Sequence, residues 1–338
     1  MDHLIGQKVL TDVVNRYGVT IIPAQTVLNH ESVKLLLNHK IDEFSLSLER
    51  VSEPAGDTPP HRQQLRQTVT RAKELILSVA ASGEIPLADI REEVLPAVHE
   101  LSDHPDLFEL FEIVKAKDDY TYEHNIGVGI LATLIGRWMD LNEEELSTLS
   151  LAATLHDIGK VNVPESILNK PGPLTEEEYE KVKLHTVYGY ELLKDAPGVS
   201  PRVALVALQH HEREDGRGYP HGLDKSEIDL FSSIVAVADI FHAMSSERPY
   251  RKATPFHEIV SQMRQGKFGE LNPQIVSLFL DNLMKKLLGR QVVLTDGRAA
   301  EVVYLNPHNM ESPLVKAGEQ FIDLARDRSV QIREVALV

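Results

Sequence analysis

With 338 residues, 42% hydrophobic and 25% charged, the chain is long enough for two or three domains of ordinary globular composition. Its net charge of -16 argues against a surface for nucleic-acid polymers or anionic membranes, so an anionic ligand would need a local cluster of cations. Cysteine is absent, which removes disulfides and thiolate metal sites, fits a reducing compartment, and leaves histidine and carboxylates as the strong metal ligands.

The first residues carry no basic segment followed by an apolar run, so no secretory leader is expected. The longest apolar stretch, Ile126 to Gly136, falls short of the roughly 20 residues that a bilayer span needs. A cytoplasmic protein without a membrane partner is expected. Residues 1–55 read as a small mixed α/β domain. Lys8-Val9-Leu10 and Val19-Thr20-Ile21-Ile22 favour strands around a turn at Tyr17-Gly18, and Asn29 can cap a short helix over Glu31 to Asn38. The proline-rich stretch Ser52 to Pro60 reads as a linker.

Residues 56–117 form an expected helical connecting region, in which Leu65, Val69, Ala72, Ile76 and Val79 share one helical face. Residues 118–288 read as a catalytic domain that is almost wholly helical. It is interrupted at Gly159, at Lys170-Pro171-Gly172-Pro173, at Ala196-Pro197-Gly198 and over Asp215 to Gly222. Thr175 followed by Glu178 is a capping box. In residues 289–338, Gln291 to Leu294 and Ala300 to Leu305 predict a hairpin around Thr295-Asp296-Gly297-Arg298, and Val330 to Arg333 alternates as a strand does. The fold class expected is mainly α: an all-helical domain with a small α/β N-terminal and a β-rich C-terminal appendix.

His156-Asp157 closes an apolar helical run, where a histidine and an aspartate are costly unless paired or metal-bound. His210-His211-Glu212 follows a second such run, Val203 to Leu208, and leads into Asp215-Gly216-Arg217-Gly218-Tyr219-Pro220. There Gly216 and Gly218 permit positive φ or close backbone approach. Asp239 lies inside the apolar run Ile234 to Ala238, and His124 and His185 sit on further helices. Each is ordinary alone: a helix-end cap, a turn, a core histidine. Together they supply five histidines and two aspartates, a nitrogen and oxygen donor set that suits two divalent cations, with iron or manganese favoured. Asp157, with two oxygens, is the natural bridge between them, and such a centre can polarise a phosphodiester and activate water.

These residues resemble the HD-GYP subgroup of the HD-domain phosphohydrolases. The resemblance runs from Asp118 to Arg251. It rests on Tyr120-Thr121-x-x-His124, His156-Asp157-Ile158-Gly159-Lys160, Leu168-x-Lys170-Pro171-Gly172-x-Leu174-Thr175, and His185-x-x-x-Gly189. It continues through His210-His211-Glu212-x-x-Asp215-Gly216-x-Gly218-Tyr219-Pro220, Asp239 and Arg248-Pro249-Tyr250-Arg251. The resemblance implies an HD-type helical catalytic domain that opens cyclic di-GMP to pGpG, or onward to GMP. It implies metal binding by His124, His156, Asp157, His185, His210, His211 and Asp239. It also implies phosphate contact by Lys160, phosphate or guanine contacts by Arg248 and Arg251, and a Gly218-Tyr219-Pro220 loop that flanks the site and docks a signalling partner. Where some family members place a third-metal glutamate, this chain has Tyr120, and Glu123 would point elsewhere, so two cations are expected.

In the mechanism this reading implies, a hydroxide bridging two metals attacks phosphorus while Lys160 takes up developing charge. Two alternatives stand beside it: a dinucleotide-binding signalling module, and a phosphohydrolase acting on another cyclic dinucleotide or nucleotide. The flanking units are expected to regulate or to form a homodimer. Lys160, Arg248 and Arg251 read equally as surface charge, and Glu212 as a support for a ligand histidine or a solvated residue. The remaining histidines, His99 and His242 among them, are assigned to surface or core.

Overall fold

A computed structural model describes residues 60–115, 120–170, 172–246, 253–267, 269–306 and 308–336, with 7–11, 13–14, 20–22, 48–50 and single positions among the first fifty. The expected turn at Tyr17-Gly18, the Asn29 cap and, apart from Pro60, the expected linker lie outside these residues. The chain divides into two units, 1–60 and 61–338.

In the first unit, strand β1 (Gln7–Val9) pairs antiparallel with β4 (Leu48–Arg50), and β2 (Val13–Val14) pairs with β3 (Thr20–Ile22). Val9, Val13, Ile22, Leu28 and Leu36 form its small core. Ser32, Leu35 and Leu36 are helical, within the span where the spacing predicts a helix.

The second unit begins with helix α1 (Pro60–Ser82), whose Leu65, Val69, Ala72, Ile76 and Val79 are all buried, as their common face requires. A π-helical turn at Ile90–Val94 leads into α2 (Leu95–Ser102). Helix α3 (Leu107–Val114) starts where the Asp106 carboxylate accepts from the backbone N–H groups of Phe108 and Glu109. Helices α4 (Tyr120–Trp138) and α5 (Glu143–Leu155) then pack at close range. A Cβ on Gly129 would stand 2.7 Å from Thr154 Oγ1, and one on Gly136 would stand 2.7 Å from the Leu149 side chain. The reciprocal Asn142–Glu145 cap sets where α5 begins.

A 3-10 turn (Ile158–Asn162) and the short helix α6 (Glu165–Leu168) precede α7 (Glu176–Lys183), which starts at the expected Thr175–Glu178 capping box. Helices α8 (His185–Leu193) and α9 (Pro201–Gln209) follow, and then α10 (Leu230–Ser245), which is buried on nearly all sides. Asp229 caps α10 and holds Arg202 through two hydrogen bonds of 3.1 Å. Phe111 of α3, Trp138 of α4 and Phe241 of α10 meet Phe279 of α12 (Pro273–Lys285), with ring centroids 4.8 to 6.5 Å from Phe279. The helices that carry His124 and Asp239 are thereby locked to one aromatic cluster. No described helix is long and apolar enough to cross a membrane.

The C-terminal sheet has five antiparallel strands in the order β8-β7-β6-β5-β9: β5 (Gln291–Leu294), β6 (Ala299–Asn306), β7 (Asn309–Ala317), β8 (Gln320–Asp323) and β9 (Ile332–Val335). The expected hairpin is β5–β6, with Val292 opposite Ala300. The last strand starts at Ile332, two residues later than the alternation predicts. Strands β7 and β8 have no counterpart in the sequence reading, because Asn309, Glu311, Ser312 and Pro313 break the alternation. Val292, Leu294, Ala300, Val302, Val315 and Ile322 point into the same core as the helices. His257 of α11 (Phe256–Arg264) bonds the Ile332 carbonyl at 2.8 Å, and Arg290 pairs with Asp106 at 2.6 Å.

Phe279→Ala should lower the unfolding free energy by about 3–5 kcal/mol, as loss of a buried aromatic ring does. Urea denaturation measures this, and a loss below ~1 kcal/mol would show that the aromatic cluster does not hold these helices together.

Candidate metal centre

Each side chain singled out as a metal ligand sits where a helix starts, stops or crosses the core. His124 is in the first turns of α4, His156 caps the C-terminus of α5, and Asp157 follows it. His185 opens α8, His210 caps the C-terminus of α9 with His211 next to it, and Asp239 lies inside α10. A close backbone approach brings α8 to Asp157. A Cβ on Gly159 would lie 2.0 Å from the His185 carbonyl oxygen and 2.3 Å from the Gly189 N. Glycine at 159 therefore lets the 3-10 turn rest against the start of α8 and puts His185 against Asp157.

The two oxygens of Asp157 face different histidines. Its Oδ1 is 3.2 Å from His185 Nε2 and 3.7 Å from His210 Nε2. Its Oδ2 is 3.3 Å from His156 Nε2 and 4.0 Å from His124 Nε2, and also meets the Lys160 ammonium. His124 Nε2 lies 3.1 Å from Asp239 Oδ1. Asp157, His185, His210 and His211 thus form one cluster of possible ligand atoms, and His124, His156 and Asp157 form another, with Asp157 common to both. Asp239 joins the second through His124.

The outer nitrogens fix the rings. His156 Nδ1 donates to the Ala153 carbonyl at 2.7 Å, His185 Nδ1 to Val182 at 2.6 Å, and His210 Nδ1 to Val206 at 3.0 Å. A carbonyl only accepts, so each of these Nδ1 atoms carries the proton. His124 differs, since its Nδ1 faces His242 Nδ1 at 3.0 Å.

Burial opposes the charge on Asp157, yet Lys160 and His156 hold its carboxyl well below the usual range. Burial likewise opposes ionisation of Asp239, and His124 beside it outweighs that penalty. Burial pushes His210 and His211 far below the ordinary imidazole value, which keeps them neutral and available as donors to a cation. For His156 burial acts the same way, but the Asp157 carboxylate overcomes it and lifts the ring above its ordinary 6.5.

The donor set fits divalent cations. Asp157 Oδ1 and His156 Nε2 are buried without a hydrogen-bond partner, a condition that is costly unless something else satisfies them. The groups converging here are nitrogens and oxygens without sulfur, with ring nitrogens aimed inward by their outer hydrogen bonds.

The remaining predicted residues are placed around this cluster. Lys160 is half-buried against Asp157 at the rim. Tyr219 stacks on His211 with centroids 4.6 Å apart, and its backbone N–H donates to the His211 carbonyl at 3.2 Å. Gly216 has φ of 70°, as expected, whereas Gly218 serves close approach: a Cβ there would lie 2.4 Å from Glu212 Cα. Arg248 and Arg251 lie outside the described residues. Glu212 is neither a histidine support nor solvated. It is buried, and its carboxylate accepts from the His221 N–H at 2.7 Å and the Leu223 N–H at 3.0 Å, which ties the loop down beside the cluster. His242, assigned from sequence to surface or core, is buried next to His124. Its spacing of three residues from Asp239, on one face of α10, was the available signal.

Comparison with known proteins places this cluster in a family. The family model described as HD domain matches residues 109–273. A cyclic di-GMP phosphodiesterase of Pseudomonas aeruginosa is 32% identical over 296 residues, covering 82% of this chain and 71% of that protein. A cyclic di-GMP phosphodiesterase of Thermotoga maritima is 41% identical over 181 residues, 52% of this chain and 49% of that protein. The chain thus spans about seven-tenths of the first relative and about half of the second. A solved structure of an HDG"Y"P protein from Bdellovibrio bacteriovorus covers 84% of this chain and 97% of its own length, with a TM-score of 0.54 at 16% identity, a likeness of fold.

Cation uptake should release protons and weaken as pH falls, because His156 is held above 6.5 in the cation-free cluster and must be neutral to bind. Calorimetric titration with Mn²⁺ near neutral pH, in two buffers of different ionisation enthalpy, should return different apparent enthalpies. Equal enthalpies would rule out proton displacement.

Proposed function

The chain belongs to the HD-GYP family of HD-domain phosphohydrolases, and from that premise we propose that it hydrolyses cyclic di-GMP to linear pGpG at a centre holding two divalent cations, iron or manganese. The observation that carries the proposal is the division of Asp157: one oxygen faces His185 and His210, the other His156 and His124. A single carboxylate shared between two donor sets suits a pair of cations better than one. Nitrogen and oxygen donors without sulfur favour iron or manganese. Two divalent ions also outweigh the two carboxylates, which leaves the centre positive toward a phosphodiester.

When bound, the cations supply Lewis acidity to the phosphodiester and to the attacking water. The chain's own residues do the rest. His156, His185 and His210 present Nε2 inward because their Nδ1 protons are committed to backbone carbonyls. Lys160, at the rim beside Asp157, is placed to meet a phosphate oxygen and to stabilise the charge that grows on it. Tyr219 stacks on His211, which supports reading the Gly218-Tyr219 segment as a substrate contact. Arg248 and Arg251 are proposed as further phosphate or guanine contacts, on the strength of their place in the Arg248-Pro249-Tyr250-Arg251 motif. Burial of the donors excludes bulk water and strengthens each of these interactions.

The test is turnover of cyclic di-GMP by metal-analysed protein, kept under reducing conditions and supplied with Fe²⁺ or Mn²⁺, with products separated chromatographically. Metal-dependent pGpG is expected as the first product. Asp157→Ala should lose more than the roughly 10- to 100-fold typical of outer ligand supports, because it removes a donor from both clusters. Turnover in Asp157→Ala equal to wild type would sink the assignment. Tight binding without turnover would favour a sensor, and hydrolysis of a mixed cyclic dinucleotide in preference would move the substrate.

A further inference from the structure

We infer that His242 is a positioning residue for the cation site of His124, Asp239, His156 and Asp157, fixing His124 as the tautomer whose Nε2 lone pair faces the cation. The inference rests on reading this cluster as a metal centre.

His242 is fully buried on α10, three residues beyond Asp239. Its Nε2 lies 2.8 Å from the Val114 carbonyl, at the end of α3. That carbonyl can only accept, so His242 Nε2 carries a proton. With its Nε2 proton committed to Val114, the ring presents Nδ1 as the acceptor. His124 Nδ1 stands opposite it at 3.0 Å. Two nitrogens at that distance need one proton between them, and His124 supplies it. With a cation bound, the His124 lone pair is on Nε2, the nitrogen that lies 3.1 Å from Asp239 Oδ1 and 4.0 Å from Asp157 Oδ2. A lone pair and two carboxylate oxygens converging on one space is an arrangement for a cation. The Ser246 hydroxyl reaches His242 Nδ1 only at 3.5 Å.

The space for His242 is equally specific. A Cβ on Gly127 would lie 2.1 Å from His242 Nε2 and 2.5 Å from its Cδ2. Gly127 is one helical turn beyond His124, so the residue that leaves room for the ring sits on the same face of α4 as the ligand it orients. His156, His185 and His210 bond backbone carbonyls three or four residues before them. His124 instead takes its orientation from another helix, which in turn is anchored to a third.

Mn²⁺ binding to the full chain, followed by calorimetry and metal analysis, tests this in wild type, His242→Leu and His242→Asn. Wild type should bind two cations. In His242→Leu one of the two should bind roughly 10- to 100-fold more weakly, with the other unchanged. In His242→Asn the amide oxygen can accept near the place of Nδ1, so most of the affinity should return, an outcome that a purely space-filling role would not produce. In the Zn²⁺-loaded wild-type protein, ¹⁵N–¹H imidazole correlations should show His242 protonated on Nε2 and bare on Nδ1. Wild-type affinity in His242→Leu, equal loss at both sites, no recovery in His242→Asn, or a proton on His242 Nδ1 would each overturn the inference. A wild-type chain that binds no cation would instead overturn the metal-centre reading itself, and this inference with it.

Discussion

Asp157 keeps a charged carboxylate almost out of reach of water, and its surroundings are arranged around that cost. Desolvation alone would protonate such a group. Lys160 and His156 oppose this from one side, and His185 and His210 stand against the other oxygen. Yet His210, held neutral by its own burial, is a weak counter-ion, and Oδ1 of Asp157 has no hydrogen bond. The cluster is therefore electrostatically incomplete in a defined sense, with excess donor capacity pointing inward and little positive charge to meet it. A structural ion pair would be built the other way, with each charge matched by a fixed partner.

Positioning those donors is a problem of backbone distance before it is one of side chains. Helix ends supply most of the ligands, and helix ends reach one point only if the helices can nearly touch. Gly129 and Gly136 let α5 settle on α4, and Gly159 lets the turn after Asp157 rest on the start of α8. Gly218 plays the same part for the loop, which lies against Glu212 while the Glu212 carboxylate holds the backbone of His221 and Leu223. A methyl group at Gly159 or Gly218 would meet backbone that cannot yield cheaply, and a shift of a fraction of an ångström is large on the scale of coordination distances. The glycines and the histidines are parts of one specification.

This division explains what could be read from the sequence. The helix stops, the capping box at Thr175, the common face of α1 and the donors themselves are local features, governed by residues within one or two turns. Asp157 was legible as a candidate bridge between two cations, because it has two oxygens and stands in a set of five histidines and two aspartates. What escaped depends on partners distant in sequence. The role of His242 is decided by the Val114 carbonyl, 128 residues away, and inside an apolar helix it looks like any core histidine. Glu212 read as a support for a ligand histidine or as a solvated residue, but its bonds go to backbone groups nine and eleven residues on. Strands β7 and β8 carry polar residues and a proline where a strand pattern would alternate, and they exist because their neighbours in the sheet bury Val315 and Ile322.

The organisation of the centre also separates chemistry from recognition. His124, His156, His185, His210 and Asp239 lie on or at the ends of helices that pack into the shared core. Lys160 and Tyr219, by contrast, stand at the rim on a turn and a loop, and the Arg248 to Arg251 motif follows α10 directly in the chain. Lys160 differs from Tyr219 in that it also helps to hold the Asp157 carboxyl charged, so a change there disturbs the centre itself. Under the proposed hydrolysis the buried donors would govern the reaction, and selectivity among cyclic dinucleotides would be sought in the rim rather than in the ligands.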